Sequence, residues 1–224
     1  MSASTSRGHG QAHGQAQGQA PANTLGLPIP EGTEFKDRAE GVSLFDKDSG
    51  LYVKYFRNPE NIMIKMEKMG ALHKASPSHT VGVHGPVFMG CRIAGLTMDY
   101  IPDAQDLRAL TDARNERPML PASASASSNI LDPSTREIIS QMRDALKELH
   151  AHGIHHSDLN YTNVLVGHVD GKLRVYLIDP GVSRCENAES GFKCNDPQHF
   201  VREKQRMEDM IFSFINGQPD KRFF

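Results

Sequence analysis

The sequence predicts an α+β protein with a small β-rich first half and a mainly helical second half. Residues 32–56 alternate polar and apolar side chains around the turn sequence DKDSG, a pattern that is typical of a β-hairpin. Residues 132–153 carry apolar side chains at helical spacing between an Asp-Pro start and a glycine, which predicts an amphipathic helix. Residues 164–178 contain two short apolar segments joined by Asp-Gly, which predicts a second hairpin.

The composition is that of a folded domain, with 38% hydrophobic and 23% charged residues in a chain of 224. A formal net charge of -2 predicts no nucleic-acid partner. The sequence has no apolar run of about 18 residues, so no membrane span is predicted. The 3 cysteines lack CxxC spacing, so neither a zinc site nor a disulfide framework is predicted, and a reducing, cytoplasmic compartment is expected. Residues 1–30 repeat Gly, Gln, Ala and His without apolar periodicity and are predicted to form a disordered tail.

The first half is predicted to contain four strands and one helix. The first hairpin has a turn at residues 48–50 and a second strand over residues 51–56. The sequence Asn-Pro-Glu at residues 58–60 is typical of a helix start, and apolar residues then recur at helical spacing up to about residue 74. Residues 80–102 predict two more strands.

The second half is predicted to contain the main helices. A short helix is expected from Asp106, and the Ser/Ala/Pro-rich residues 117–131 predict a surface loop. The helix over residues 132–153 has one apolar stripe, formed by Ile138, Ile139, Met142, Leu146 and Leu149. Residues 196–217 predict a last helix, with its inward residues expected to be Phe200, Met207, Met210, Ile211 and Phe214.

Polar residues cluster at the outer ends of the second hairpin. Asp158 and Asn163 precede its first strand, and Asp179 follows its second strand. Because a two-stranded turn returns the chain to its starting level, we expect Asp179 to lie beside Asn163. Their oxygens suit Mg²⁺, which keeps several waters and shares nucleotide phosphates. Asp158 is then left to orient an acceptor hydroxyl and to accept its proton.

The sequence HSDLNYTN at residues 156–163 resembles the catalytic loop of the protein-kinase-like superfamily, and DPG at residues 179–181 resembles its magnesium-binding Asp-Phe-Gly motif. The resemblance implies an ATP-dependent phosphotransferase that uses Mg²⁺. It assigns the catalytic base to Asp158 and the metal ligands to Asn163 and Asp179.

The same resemblance implies a bilobal fold, with a small β-rich N-lobe over residues 31–102 and a truncated helical C-lobe over residues 103–224. In YVKYF, Lys54 corresponds to the lysine that clamps the α- and β-phosphates, and in KMEKMGAL, Glu67 corresponds to the glutamate that pairs with it. His156 is implied to brace the catalytic loop through a hydrogen bond to the backbone.

The adenine-binding strand and hinge of kinases resemble LTMDYIP, which implies Met98 as gatekeeper and backbone contacts from Asp99 and Ile101 to the purine. The chain departs from the family elsewhere. The glycine-rich loop is reduced to Gly41 in RAEGVSLF, so the phosphates must be covered by a modified loop. Asn160 stands where many protein kinases carry a lysine beside the transferred phosphate.

Further departures are Pro180 in place of phenylalanine, the lack of a following Ala-Pro-Glu and the short stretch of chain after Arg184. Together with the polar N-terminus, these features resemble the minimal kinases that bacteria inject into host cells. They imply a secreted, monomeric virulence effector that phosphorylates a host protein on Ser or Thr rather than on Tyr. A heat-shock chaperone is one candidate substrate. A small-molecule kinase of the aminoglycoside or choline kinase type and a non-catalytic binding module are the alternatives. A short helical lobe and the retained metal-binding oxygens favour the protein kinase.

Overall fold

The computed structural model describes residues 34–38, 41–46, 49–115, 131–182 and 192–217. The predicted tail lies outside these residues, as does nearly all of the predicted loop at 117–131. The first half forms a five-stranded antiparallel sheet in the order β1-β2-β3-β5-β4, with strands β1 (Glu34–Arg38), β2 (Gly41–Asp46), β3 (Leu51–Phe56), β4 (Val83–Met89) and β5 (Arg92–Asp99).

One helix, α1 (Ile62–Ala75), connects β3 to β4 and packs against β4 and β5. It begins three residues later than the sequence predicts, because the Asn58 side chain accepts a hydrogen bond from the Glu60 N–H at 3.1 Å and closes a separate turn. The core of this lobe joins α1, the sheet and one residue of the second half, and consists of Ile62, Met69, Val81, Leu96, Met98 and Tyr176.

The second half contains three helices and a small sheet among the described residues, in the order β6 (Gln105–Asp106), α2 (Leu107–Asn115), α3 (Pro133–Ala151), β7 (Val164–Val169), β8 (Lys172–Leu177) and α4 (Pro197–Ile215). Asp132 caps α3 by accepting the Thr135 N–H at 2.9 Å, as its sequence predicts. All five predicted stripe residues of α3 are buried. On α4 four of the predicted five are buried; Phe200 is only half-buried, and the charged Glu203 is buried instead.

The two halves are joined where β8 meets the chain after α1. The Leu177 N–H donates to the His79 carbonyl at 2.8 Å, and Thr80 forms a parallel bridge with Leu177. A His79 ring nitrogen lies 3.1 Å from the Val175 carbonyl. The predicted fold class is therefore confirmed: a small antiparallel sheet with one helix is followed by a helical part. The division at residues 102 and 103 stays a prediction. None of the described helices has the length and apolar character needed to cross a membrane.

Candidate active site

The β7–β8 hairpin brings together the two aspartates and the asparagine of the predicted site, which are Asp158, Asp179 and Asn163. Its register pairs Val164 with Leu177, and the next residue, Ile178, donates its N–H to the Asn163 carbonyl at 2.9 Å. The Asn163 side-chain nitrogen donates to the Asp158 carboxylate at 3.1 Å and lies 3.3 Å from the Asp179 carbonyl. The nitrogen end of the Asn163 amide is thus used by the loop, which leaves its oxygen end for a cation.

Two residues of the site adopt a left-handed backbone conformation without being glycine, with φ 66° at Ser157 and φ 53° at Asp179. Such residues cost about 1–3 kcal/mol each and cluster at functional sites, where the surrounding structure holds them. Asn160 supplies part of that support, because its side-chain oxygen accepts the N–H groups of Thr162 at 3.0 Å and Asn163 at 3.2 Å. The residue that replaces the kinase lysine therefore closes a turn of the loop.

His156 braces the loop as the resemblance implies. It is fully buried, and its Nε2 lies 2.8 Å from the Ile178 carbonyl, to which it donates. Its own carbonyl accepts the Gly181 N–H at 3.1 Å. Burial is the main reason that the pKa of His156 is lowered, so the ring stays neutral and acts as a structural donor. His156 thus connects the catalytic loop to both ends of the DPG segment.

Glu203 of α4 is a functional residue that the sequence analysis missed. Its buried carboxylate accepts the N–H groups of His156 at 3.1 Å and Ser157 at 2.6 Å, and it lies 2.8 Å from His150 Nε2. Burial raises the pKa of Glu203, but the hydrogen bonds from His150 and the Ser157 N–H outweigh it and hold the pKa below its usual value. The available signal was a charged residue on the apolar face of α4, four residues before Met207.

Lys54 on β3 reaches the site and forms an ion pair with Asp179. A second lysine, Lys65 of α1, contacts the other oxygen of the same carboxylate at 2.8 Å. Burial alone raises the pKa of Asp179, but Lys54 and Lys65 outweigh it and lower the pKa to about 2. Glu67, the predicted partner of Lys54, lies at an exposed position of α1. Asp179 is an acidic partner of Lys54, and the predicted pairing of Lys54 with Glu67 stays a prediction.

Lys68, one turn after Lys65 on α1, is fully buried. Its ammonium group contacts the Ser157 hydroxyl and donates to the Gly181 carbonyl at 2.6 Å. Burial lowers the pKa of Lys68 from 10.5 to about 8, against the opposing attraction of the Glu203 and Asp158 carboxylates. The inner face of α1 is therefore cationic, and it touches both the catalytic loop and the DPG segment.

A cleft of about 520 Å³ lies between the sheet and the second half. Lys54 and Asp179 line the cleft, and so do Met98, Asp99 and Ile101, to which the resemblance assigns the adenine ring. The Asp99 N–H already donates to the Gly82 carbonyl at 3.0 Å, so a purine contact from Asp99 must come from its carbonyl. Met98 is buried near the end of β5, and its role as gatekeeper stays a prediction.

Gly41 is the first residue of β2 and pairs with Phe56. A Cβ atom at this position would lie 1.8 Å from the Tyr55 carbonyl oxygen, so the close approach of β2 to β3 requires a glycine. Its predicted part in covering the phosphates stays a prediction, because residues 39 and 40 lie outside the described residues.

The donor set fits Mg²⁺, since the Asn163 amide and the Asp179 carboxylate supply hard oxygen ligands within one loop system. Both Asp179 oxygens contact lysines in this structure, so an incoming cation would share this carboxylate with Lys54 and Lys65 or displace one of them.

Comparison with known proteins agrees with this geometry. The model of the lipopolysaccharide kinase (Kdo/WaaP) family matches residues 98–196, which is less than half of the chain. The kinase PK-1 of Cydia pomonella granulovirus is similar with a TM-score of 0.56 and 19% identity, over 83% of this chain and 70% of that one. A mutant PknI kinase domain of Mycobacterium tuberculosis has a TM-score of 0.52 and 17% identity, over 86% and 79%.

The kinase domain of maize SIRK1 bound to AMP-PNP has a TM-score of 0.51 and 17% identity, over 80% of this chain and 68% of that one. No curated protein sequence matches the chain significantly. The fold and the family match together place this chain in the protein-kinase-like superfamily. They support a phosphotransferase.

Proposed function

We propose that this chain is an ATP-dependent, Mg²⁺-dependent protein kinase. The observation that carries the proposal is the position of Asp158. Its carboxylate is exposed, yet it lies 3.1 Å from the side-chain nitrogen of Asn163, which also approaches the Asp179 backbone. A base is thus held beside the two proposed metal ligands and open to an incoming hydroxyl group.

The transfer follows from these positions. Lys54 and Lys65 would turn from Asp179 to the nucleotide phosphates once Asp179 takes a cation. Asn163 and Asp179 would hold Mg²⁺, which would supply positive charge against the nucleotide phosphates. The acceptor oxygen attacks the γ-phosphorus, the bond from that phosphorus to the bridging oxygen breaks, and ADP leaves. Asp158 accepts the hydroxyl proton.

An exposed base favours an acceptor group on a macromolecule, because a small acceptor gains most of its binding energy from an enclosed pocket. We propose Ser or Thr of a host protein as the acceptor, with the chain acting as a secreted monomer. The resemblance to minimal effector kinases makes a eukaryotic heat-shock chaperone the first protein to test.

A second candidate is a sugar kinase, which the lipopolysaccharide kinase family match favours. Its acceptor would be a sugar hydroxyl on a lipopolysaccharide. The same chemistry at Asp158 serves either acceptor, so the residues of the site do not separate the two.

The discriminating experiment supplies the purified protein with γ-labelled ATP and Mg²⁺, together with a eukaryotic lysate, a purified heat-shock chaperone or purified lipopolysaccharide. The Asp179→Ala variant is the control for transfer. Label on protein bands that is absent with Asp179→Ala supports the protein kinase, and phosphoamino-acid analysis then distinguishes Ser and Thr from Tyr.

Label on lipopolysaccharide alone would replace the proposal with the sugar kinase. Label on small molecules of the lysate alone would indicate a kinase of the aminoglycoside or choline type. No transfer and no nucleotide-induced thermal shift would indicate a non-catalytic binding module.

A further inference from the structure

Three side chains with metal-binding atoms meet beside the catalytic loop. They are His155, at the start of that loop, Cys194, just before α4, and His199, in the first turn of α4. Their ligand atoms all lie within 4.8 Å of one another. His155 and Cys194 are buried, and His199 is partly exposed. Within the described part of the chain, this is the one group of three His, Cys, Asp or Glu side chains found in such an arrangement.

Backbone contacts hold the first two of these residues in place independently of any ligand. The Cys194 N–H donates to the Gly153 carbonyl at 2.7 Å, and the neighbouring residues Ile154 and Lys193 form an antiparallel bridge. The loop start and the segment before α4 are therefore fixed side by side. A site in which the backbone already brings the ligands close needs only side-chain adjustment to bind a cation.

The third residue is fixed by the start of α4. The Asp196 side chain accepts the Gln198 N–H at 2.9 Å and caps the helix, which sets the position of His199 one turn along. The second Asp196 carboxylate oxygen lies 3.6 Å from His199 Nε2. A carboxylate beside a ligating histidine is the usual way to orient the ring and raise its basicity.

We propose that His155, Cys194 and His199 form a binding site for a divalent cation of the zinc class when Cys194 is reduced. Imidazole nitrogens and a thiolate are the ligands that Zn²⁺ prefers, and three of them leave one tetrahedral position for water or a fourth ligand. The ligands come from separate segments, which is why the lack of CxxC spacing in the sequence gave no sign of a zinc site.

Cys194 is disulfide-bonded in this structure, contrary to the expectation from the cysteine spacing, and metal binding and the disulfide therefore exclude each other. Of the other cysteines, Cys91 is free, and Cys185 lies outside the described residues. A cellular thiol such as glutathione supplies the reductant: two thiols give up two electrons and two protons, the disulfide opens to two protein thiols, and the reductant leaves as its own disulfide. The Cys194 thiol then releases a proton as it binds the cation.

Such a site would tie the catalytic loop to α4. His155 directly precedes His156, and the carboxylate that holds the next two N–H groups, that of Glu203, belongs to the same helix as His199. A metal ion is a common way to stabilise a domain with a small core, and here it would act beside the loop that carries Asp158.

The test uses the full chain and Co²⁺ as a spectroscopic probe for zinc, with and without a thiol-free phosphine reductant. The reduced protein is expected to bind one Co²⁺ with a tetrahedral d–d spectrum and a thiolate-to-cobalt charge-transfer band. Zn²⁺ should displace Co²⁺, and at about a hundredfold excess over its dissociation constant it should raise Tm by about 5–10 °C. The charge-transfer band distinguishes Co²⁺ bound at this site from Co²⁺ bound by histidines of the N-terminal segment, because that segment contains no cysteine.

The variant Cys194→Ser should lose the charge-transfer band, and His199→Ala should weaken Co²⁺ affinity by more than about tenfold, since even indirect ligand changes cost that much. His152→Ala removes an exposed histidine at the end of α3 and should leave the spectrum unchanged. If Cys194→Ser fails to fold, the Co²⁺ affinity of His199→Ala still tests the site, because His199 is partly exposed. A reduced protein without the band, a band that survives Cys194→Ser, or equal binding with the disulfide intact would each overturn the proposal. The spectrum does not depend on phosphate transfer, so it tests the metal site independently of the proposed kinase activity.

Discussion

The catalytic loop and α1 both line the cleft, but the kinase pattern predicts the charged residues of the loop and does not predict Lys65 of α1. In the loop, Asp158, Asn163 and Asp179 converge as their spacing predicts. In α1, Met69 lines the cleft and Lys65 contacts the Asp179 carboxylate, whereas Glu67 is exposed. The loop has the charged residues that the kinase pattern predicts, and α1 adds a lysine, Lys65, beside Asp179 that the pattern does not predict.

The difference reflects how each region is held. The loop is held by local backbone bonds, such as that from Ile178 to Asn163, so residue spacing largely determines its geometry. A helix is held by its packing, and a rotation of about 100° per residue changes which side chain faces the cleft. The inner face of α1 is selected by contacts with β4, β5 and the distant Gly181. Sequence spacing says little about such contacts.

The largest expected effect tests the loop. Replacing Asp158 with Asn removes the base while keeping its size, so kcat for transfer should fall by about 10²–10⁴-fold. Nucleotide affinity, measured by the binding of a fluorescent ATP analogue, should stay within about twofold, because Asp158 is not assigned to the phosphates. Asp170→Asn, in the exposed β7–β8 turn, is the matched control and should retain activity. Loss of nucleotide binding in Asp158→Asn would contradict the assigned role.

A second variant asks whether the loop geometry depends on distant support. Glu203→Ala leaves the His156 and Ser157 N–H groups without their buried acceptor and should cost about 3 kcal/mol of unfolding free energy. For a chain of this size, that is a fall in Tm of about 6–12 °C in calorimetry.

The matched control is Glu208→Ala on the same helix. Glu208 pairs with Arg143 at 2.6 Å on the surface, where such pairs contribute about 0–1 kcal/mol. Equal losses in the two variants would mean that the loop holds its shape without α4.

These cases show which parts of the site can be predicted from the sequence. The second hairpin, the cap at Asp132 and the catalytic loop are encoded in short segments, and the structure has them where predicted. The segment before the turn at 48–50 is predicted as one strand and forms two, β1 and β2, so the first half has five strands rather than four. Glu203 could be suspected only from its place on an apolar face, since its partners lie 46 and 47 residues away. Lys68 gave no signal, because its partners belong to segments 89 and 113 residues away.

A pH experiment tests the burial of Lys68. Its pKa is 10.5 in the unfolded chain and about 8 in the folded one, so the unfolded state binds more protons between these values. The unfolding free energy should therefore rise as the pH increases from about 8 to about 10.5, by about 3 kcal/mol for this group.

Denaturant titrations of the wild type and of Lys68→Met across this range isolate the contribution, because other groups titrate in both proteins. The variant should lack this component of the rise, whereas Lys74→Met, at an exposed position of α1, should keep it. A full rise in Lys68→Met would show that the lysine is hydrated in solution and that α1 is not packed on the loop as described.

The smallest expected effects are those of α1 variants on ATP kinetics, and they test which face of α1 contributes to nucleotide binding. Lys65→Met removes an ammonium group 2.8 Å from Asp179, and steady-state kinetics should show about a tenfold higher KM for ATP with a smaller change in kcat. Glu67→Gln, two residues away on the exposed face, should change both parameters by less than about twofold. The opposite order, with Glu67 more sensitive than Lys65, would mean that α1 rotates when nucleotide binds and brings the glutamate to Lys54. In that case both the catalytic loop and α1 would follow the kinase pattern when nucleotide is bound.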